Sequence, residues 1–136
     1  PVAGIPSLDI LAAGQPGLRR PILAFLEVGR GRYAYARYQF KQGAWHAITE
    51  ISMDDIRGMA AAIKSPIYVV GEMDTEERQV LGRKWKTARL AVPSLCLRRP
   101  SVLAELAWTK IQAGHADDAA SLSPIYVHTL SNVPDL

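Results

Sequence analysis

The stretch from Ile22 to Phe40 constrains the fold of this chain more than any other. Ile22 to Val28 is apolar except for Glu27 and is bounded by turn residues, which is typical of a buried strand. After Gly29 to Gly31, the chain alternates, and one face of the predicted second strand carries Ala34, Ala36, Tyr38 and Phe40. Strands joined by so short a turn are antiparallel neighbours, so the fold must contain a β-hairpin.

The segments around this hairpin alternate between strand and helix patterns. A short helix precedes it, and a third strand, a helix, a strand, a helix, a strand and a helix follow; these are Ser7 to Ala13, Trp45 to Ile51, a helix from Ser52 to Ile63, Ile67 to Val70, Asp74 to Leu81, Thr87 to Val92 and Pro100 to Ala113. A last extended segment is predicted within residues 121–130. Strands that follow helical crossovers lie parallel to the first strand. We therefore expect an α/β fold with a mixed five-stranded sheet of order 3-2-1-4-5, flanked by helices.

Size and composition predict one domain over residues 1–136. The chain is 49% apolar and 21% charged, which suffices for a hydrophobic core. No run is long enough to span a bilayer, and the first residues lack the basic start of a signal peptide. A single cysteine, Cys96, fits a cytoplasmic setting. Because Pro1 stands where an initiator Met would, we expect a fragment of a longer protein.

The glycines at the hairpin raise the question of a phosphate-binding loop. Gly29 and Gly31 are not followed by the Lys-Ser/Thr pair of such a loop, and an alternating strand follows instead of a helix. The pattern favours a tight hairpin turn in which glycine supplies positive φ.

The second strand is also a candidate RNA-binding or partner-binding surface. Tyr33 and Tyr35 share one face, with Arg30, Arg32 and Arg37 nearby, as in strands whose aromatic rings stack on bases. The alternative is a strand whose tyrosines lie beneath a helix or at an interface. The order of the strands and a net charge of only +3 favour this alternative. The role of this face stays open at this point.

The sequence offers no recognisable catalytic or metal-binding pattern. Cys96 stands in apolar surroundings without a ligand at metal-binding spacing, and no Gly-x-Ser-x-Gly motif is present. The remaining candidates are histidines that are never four residues apart and carboxylates that are directly adjacent, so neither set converges on a helix; they are His46, His115, His128, Asp54, Asp55, Glu76 and Glu77. We expect no catalytic residue, no cofactor and no metal in this chain.

Three stretches carry a resemblance to a known family. They are "AGIPSLDILAA" (Ala3 to Ala13), "ILAFLEVGRGRYAYARYQFKQGAWH" (Ile22 to His46) and "RRPSVLAELAWTKIQAGHADDAASLSPIYV" (Arg98 to Val127). In their order and spacing the chain resembles the C-terminal half of the bacterial TsaB (YeaZ) family, also catalogued as glycoprotease-like proteins. Where the family has Asp-Ala-Arg, this chain has Glu27-Val28-Gly29, so no functional residue is carried over.

The resemblance implies a ribonuclease-H-like half-domain of the actin-like ATPase (ASKHA) superfamily. It implies a non-catalytic partner or scaffold subunit for biosynthesis of tRNA N6-threonylcarbamoyladenosine at position 37. The partner would be a TsaD-type transferase, bound through the N-terminal half of the parent protein, and the complex would bring the chain near tRNA. The alternatives are an RNA-binding module that uses Tyr33 and Tyr35, and the metallopeptidase that the family label suggests. A half-domain should also leave an apolar face exposed, which predicts a homodimer or weak oligomer.

Overall fold

The structure is a computed structural model that describes residues 1–84 and 86–125. It contains four α-helices, six strands and one 3-10 turn: α1 (Ser7–Ala13), β1 (Ile22–Gly29), β2 (Arg32–Lys41), β3 (Ala44–Ala47), β4 (Ser52–Asp55), α2 (Ile56–Ala61), β5 (Ile67–Val70), α3 (Thr75–Gly82), β6 (Ala88–Leu90), the 3-10 turn (Pro93–Leu95) and α4 (Pro100–Gln112). In this part of the chain, no helix has the length and apolar character needed to cross a membrane. The extended segment predicted within residues 121–130 lies partly outside the described residues, and His128 lies wholly outside them.

The strands form one mixed sheet. Its order is β3-β2-β1-β5-β6, and β4 also pairs with β2. β1 is antiparallel to β2, whereas β1, β5 and β6 run parallel to one another. The predicted α/β class with a mixed, helix-flanked sheet is confirmed, but the predicted five-stranded sheet of order 3-2-1-4-5 is wrong because the sheet has six strands.

The extra strand is β4, which occupies residues predicted to begin a helix. β2 is ten residues long and β3 pairs only with its second half, from Tyr38 to Lys41. The first half of β2 would expose unpaired backbone groups, and β4 satisfies them through pairs that run from Tyr35 with Ser52 to Arg32 with Asp55. Helix α2 therefore begins at Ile56, where the Asp55 side chain accepts a hydrogen bond of 2.7 Å from the Gly58 amide.

Helices cover both faces of the sheet. On one face, α1 packs on β1 and β2 through a buried cluster that includes Leu8, Leu11, Ala12, Ile22, Ala24, Ala36 and Tyr38. On the other face, α2 and α3 pack through a cluster that includes Leu23, Phe25, Tyr33, Met59, Ile63, Val69 and Leu81. This double coverage explains the apolar run at the start of β1, because residues pointing to either face are buried there.

The packed face predicted for β2 is confirmed. Ala34, Ala36 and Tyr38 are buried, and Phe40 is half-buried with its ring 5.3 Å from the ring of Trp45. The Tyr38 hydroxyl donates a hydrogen bond of 2.6 Å to Asp9 in α1, so the strand and the helix are joined by a polar contact as well as by apolar packing.

Gly71 follows β5 at a point where the backbone of β1 comes very close. A Cβ atom at this position would lie 2.6 Å from the Phe25 carbonyl oxygen and about as close to the Phe25 ring. No side chain fits there without moving the backbone of a central strand. Gly82, at the end of α3, has no atom within 4 Å of the corresponding position.

The segment before α1 is tied to the turn after α4. Val2 and Asp117 form a backbone bridge, and the Gly4 amide donates a hydrogen bond of 2.7 Å to the Asp117 carboxylate. The Lys110 ammonium lies 2.7 Å from the same carboxylate. The hydrogen bonds from Lys110 and from Gly4 lower the pKa of Asp117.

Candidate interaction surfaces

The connection between β1 and β2 is a tight turn with left-handed backbone. Gly29, Arg30 and Gly31 have φ values of 95°, 55° and 67°, and the strand register shifts between Glu27 and Gly29. The prediction of a hairpin turn is confirmed. Arg30 and Arg32 are exposed beside this turn.

Tyr33 lies beneath α3. Tyr33 is 5% exposed, and the centre of its ring lies 5.8 Å from the centre of the Phe25 ring in an edge-on arrangement. Its hydroxyl donates a hydrogen bond to one oxygen of Glu77. The other oxygen of Glu77 accepts a 2.8 Å hydrogen bond from the Asp74 amide, which completes the capping box of α3. Burial, followed by the hydrogen bond to Glu77, raises the pKa of Tyr33. A base could stack on this ring only if α3 moved away.

Tyr35 and Arg37 are half-buried on the same face of the sheet. The Arg37 guanidinium donates a 2.7 Å hydrogen bond to the carbonyl of Ala62, at the end of α2, where a positive charge complements the helix dipole. Burial, followed by the charge of Asp54, raises the pKa of Tyr35. Of the five residues predicted as an RNA or partner surface, two arginines are exposed at the turn and the other three pack towards helices.

The residues weighed for catalysis do not converge. In the described residues no group of three His, Cys, Asp or Glu side chains could hold a metal ion. The Cys96 thiol is buried and donates to the Ala91 carbonyl at 3.7 Å, whereas His46 and His115 are both exposed. Asp55 caps α2, and Glu77 completes the capping box of α3 whose N-cap is Asp74, so these carboxylates support helix starts.

The α4 surface, which we define as Leu97 and Leu103, lies where the chain enters α4; the two residues are 56% and 38% exposed and line the same cleft. Trp108 is 65% exposed but lies about 140° further around the helix, because it is five residues after Leu103. Helical spacing also places Leu103 on a stripe with Leu106, Ala107 and Ile111; the last three are half-buried, but Leu103 is exposed and no residue of α4 is fully buried. Neighbouring large apolar side chains left in water are typical of a surface that binds another protein.

Two open clefts flank α4. One, of about 550 Å³, lies between α1 and the start of α4; Leu97 and Leu103 line it, and an ion pair of 3.7 Å joins Arg98 to Glu72 at its rim. The other, of about 410 Å³, is lined by residues of α1, β2, β3 and α4 that include Phe40, Trp45, Val102, Glu105 and Leu106. α4 is thus held against α1 along only part of its surface.

Gln15 is a buried polar residue that the sequence analysis did not single out. Its amide nitrogen donates to the Leu11 carbonyl at 3.0 Å and to the Leu95 carbonyl at 2.6 Å, which ties α1 to the 3-10 turn. Its amide oxygen is buried without a hydrogen-bond partner among the described residues. Because both neighbours are carbonyl oxygens, which only accept hydrogen bonds, the Gln15 amide nitrogen and not its oxygen must face them.

The fold is similar to that of solved YeaZ structures. YeaZ from Pseudomonas aeruginosa superimposes with a TM-score of 0.66 and 18% sequence identity, over 93% of this chain and 58% of that one. An uncharacterized protein with similarity to peptidase YEAZ from Pseudomonas aeruginosa gives a TM-score of 0.61 and 17% identity, over 90% and 56% of the two chains. The chain therefore spans somewhat more than half the length of these structures. No protein-family model matches the chain, and no curated protein matches its sequence.

Proposed function

We propose that this chain is a large part of a TsaB-type subunit, a non-catalytic partner in the biosynthesis of tRNA N6-threonylcarbamoyladenosine at position 37. The observation that supports it most is the fold likeness to YeaZ over 93% of the chain. The order of three sequence stretches, "AGIPSLDILAA", the β1–β2 hairpin and the α4 region, is a second and separate support. At 18% identity the likeness concerns the fold, and the activity is our inference.

In this proposal the parent protein works by contact, with a TsaD-type transferase bound through its N-terminal half and without a cofactor in this chain. The α4 surface of this chain offers a second contact, because Leu97 and Leu103 place neighbouring apolar side chains in water. The same surface is the place at which we expect self-association when no partner is present. Sedimentation of the purified chain over a range of concentrations measures this, and a mass that stays monomeric would contradict the predicted homodimer.

Depletion of the protein that contains this chain tests the function directly. We expect the threonylcarbamoyladenosine content of cellular tRNA, measured by mass spectrometry of nucleosides, to fall and to recover on re-expression. Unchanged modification after depletion would refute the proposal.

Two variants of α4 test the expected self-association. Leu103→Glu should weaken it because it replaces an exposed apolar side chain by a charge, whereas Gln112→Glu adds the same charge on the opposite side of the same helix and should leave it unchanged. Equal association of both variants would place the contact elsewhere in the protein. The stability of each variant is compared first, so that a folding defect is not mistaken for a binding defect.

The peptidase alternative makes a different prediction. It requires a bound metal, usually zinc held by three or four side chains, and chelator-sensitive hydrolysis. The described residues offer no such group, and we do not propose a peptidase.

A further inference from the structure

One edge of the sheet gathers basic residues that are far apart in sequence. β1, β5 and β6 are parallel and begin at this edge, and β2, antiparallel to β1, ends there. The loops at this edge are adjacent, since the Tyr68 amide bonds the Pro21 carbonyl at 2.9 Å and the Ile67 amide bonds the Thr87 carbonyl at 2.7 Å. We name the described residues of these loops, 14–21, 41–43, 62–66, 83–84 and 86–87, the entry edge.

The entry edge carries seven of the sixteen basic residues and none of the thirteen acidic ones. These basic residues are Arg19, Arg20, Lys41, Lys64, Arg83, Lys84 and Lys86. At the opposite edge, where β1 and β5 end and α3 begins, the chain places the acidic residues Glu27, Asp54, Asp55, Glu72, Asp74, Glu76 and Glu77, beside Arg30, Arg32, Arg57, Arg78 and Arg98. A chain of net charge only +3 therefore has an end of purely basic character and an opposite end of mixed, mainly acidic character.

Five basic side chains of the entry edge are open to solvent. Arg19, Arg20, Lys41, Lys64 and Arg83 are exposed, and none of these five forms an ion pair with another described residue. The nearest acidic residues are few. Glu105 lines the cleft beside Gly17 and Gly43, and Asp9 accepts the hydrogen bond of Tyr38.

We propose that the entry edge binds the phosphate backbone of RNA. Neighbouring strands lie about 4.8 Å apart, so basic side chains next to the ends of β2, β1, β5 and β6 form a row roughly 14 Å long. A row of charges matches a linear polyanion, and arginine and lysine are the side chains that bind phosphate. The inference rests on the proposed function only for the choice of tRNA as the RNA.

The test compares two triple variants that remove the same charge from opposite edges. One is Arg20→Gln, Lys64→Gln and Arg83→Gln; the matched control is Arg30→Gln, Arg32→Gln and Arg57→Gln, which also removes the exposed arginines of the other candidate surface. Binding of fluorescently labelled bulk tRNA to the protein alone is followed by anisotropy between 50 and 300 mM salt. Circular dichroism and thermal unfolding verify that both variants fold.

We expect the entry-edge variant to bind tRNA at least about tenfold more weakly at low salt. Each lost phosphate contact lowers the slope of log K against log salt by about 0.7 to 0.9, so three should lower it by roughly 2 to 3. The control should change the affinity less than about threefold, as expected for a loss of net charge alone. Equal losses in the two variants, or no tRNA binding by the wild type at 50 mM salt, would overturn the inference.

A second arm separates RNA from a lipid surface. Vesicles with anionic headgroups should bind more weakly than tRNA and should be displaced by it, because a row of basic side chains matches a linear polyanion. Vesicles that bind tightly and resist displacement by tRNA would overturn the RNA assignment. Because no transferase is present in either arm, tRNA binding can persist even if depletion leaves tRNA modification unchanged, and the two ideas fail independently.

Discussion

Replacement of Tyr33 by phenylalanine separates two views of the second strand. If Tyr33 offers its ring to a base, Phe preserves the stacking and neither binding nor stability should change much. In the structure the hydroxyl is instead engaged by Glu77, so the same change removes a hydrogen bond that joins β2 to α3. Tyr33→Phe should therefore destabilise the fold while leaving RNA binding unaltered.

The size of the loss follows from the surroundings of the hydroxyl. The ring stays in place, so no cavity is created, and the cost is that of the hydrogen bond and of the half-buried carboxylate left behind. A hydrogen bond to a charged group contributes about 1.5 to 3 kcal/mol, and solvent at Glu77 reduces this. We expect about 1 to 2 kcal/mol, a large share of the stability of an ordinary domain.

Denaturant unfolding of the wild type, Tyr33→Phe, Glu77→Gln and the double variant measures the interaction. The double-mutant cycle is needed because Glu77→Gln also weakens the capping box of α3. That loss is the same with and without the Tyr33 hydroxyl, so it cancels in the coupling energy. We expect a coupling energy of about 1 kcal/mol. A Tyr33→Phe variant as stable as the wild type, with a coupling energy near zero, would refute the assignment of Tyr33 to the packing of α3.

The same variant has a distinct alkaline signature. The pKa of folded Tyr33 is raised above its ordinary value of 10.0, so the unfolded chain loses this proton first. The stabilisation is complete below about pH 10 and declines above it, by about 1.4 kcal/mol per pH unit for one such tyrosine. The unfolding free energy of Tyr33→Phe lacks this contribution and should fall less steeply with pH. The unfolding free energies of the wild type and of Tyr33→Phe should therefore converge between about pH 10 and 12. Parallel curves would argue against a hydrogen-bonded, buried Tyr33 hydroxyl.

Three further measurements follow from the packing and the local charges. Gly71→Ala should cost about 1 to 3 kcal/mol because its Cβ meets the β1 backbone, whereas Gly82→Ala, at the open end of α3, should stabilise by up to about 1 kcal/mol; equal effects in denaturant unfolding would contradict this. In an NMR titration the Asp117 carboxyl should have its midpoint below its ordinary 3.8 and move up in Lys110→Met; an unmoved midpoint would deny the contact. Cys96 should react with a thiol reagent only after unfolding, and immediate reaction in the native protein would show that its burial is incomplete.

The strands of the sheet core could be predicted because local pattern and tertiary environment agree there. The apolar start of β1, the hairpin at Gly29 and the extent of α4 follow from residues that act on their immediate neighbours. β4 could not be predicted, because "SMDD" has the composition of a helix start and becomes a strand only through the unpaired first half of β2. Helical spacing likewise defines the stripe that contains Leu103, but not whether a neighbouring element covers it.

The candidate surfaces were harder to predict because they depend on topology. Alternation in β2 correctly separates Tyr33 from Ala34, yet only the placement of α3 decides that the tyrosine face is covered. The basic residues of the entry edge are up to 67 positions apart along the chain, from Arg19 to Lys86, and a net charge of +3 hides their separation from the acidic residues. Three parallel strands that begin side by side are needed to bring them together.

The bridge between Val2 and Asp117 couples two segments that are more than 100 residues apart in sequence. The Gly4 amide and the Lys110 ammonium bind the same Asp117 carboxylate, so one side chain holds both the segment before α1 and the turn after α4. Segments that are held to each other in this way open as one cooperative unit. The amides of Gly4 and Asp117 should therefore show similar protection in hydrogen exchange, although they lie at opposite ends of the described chain.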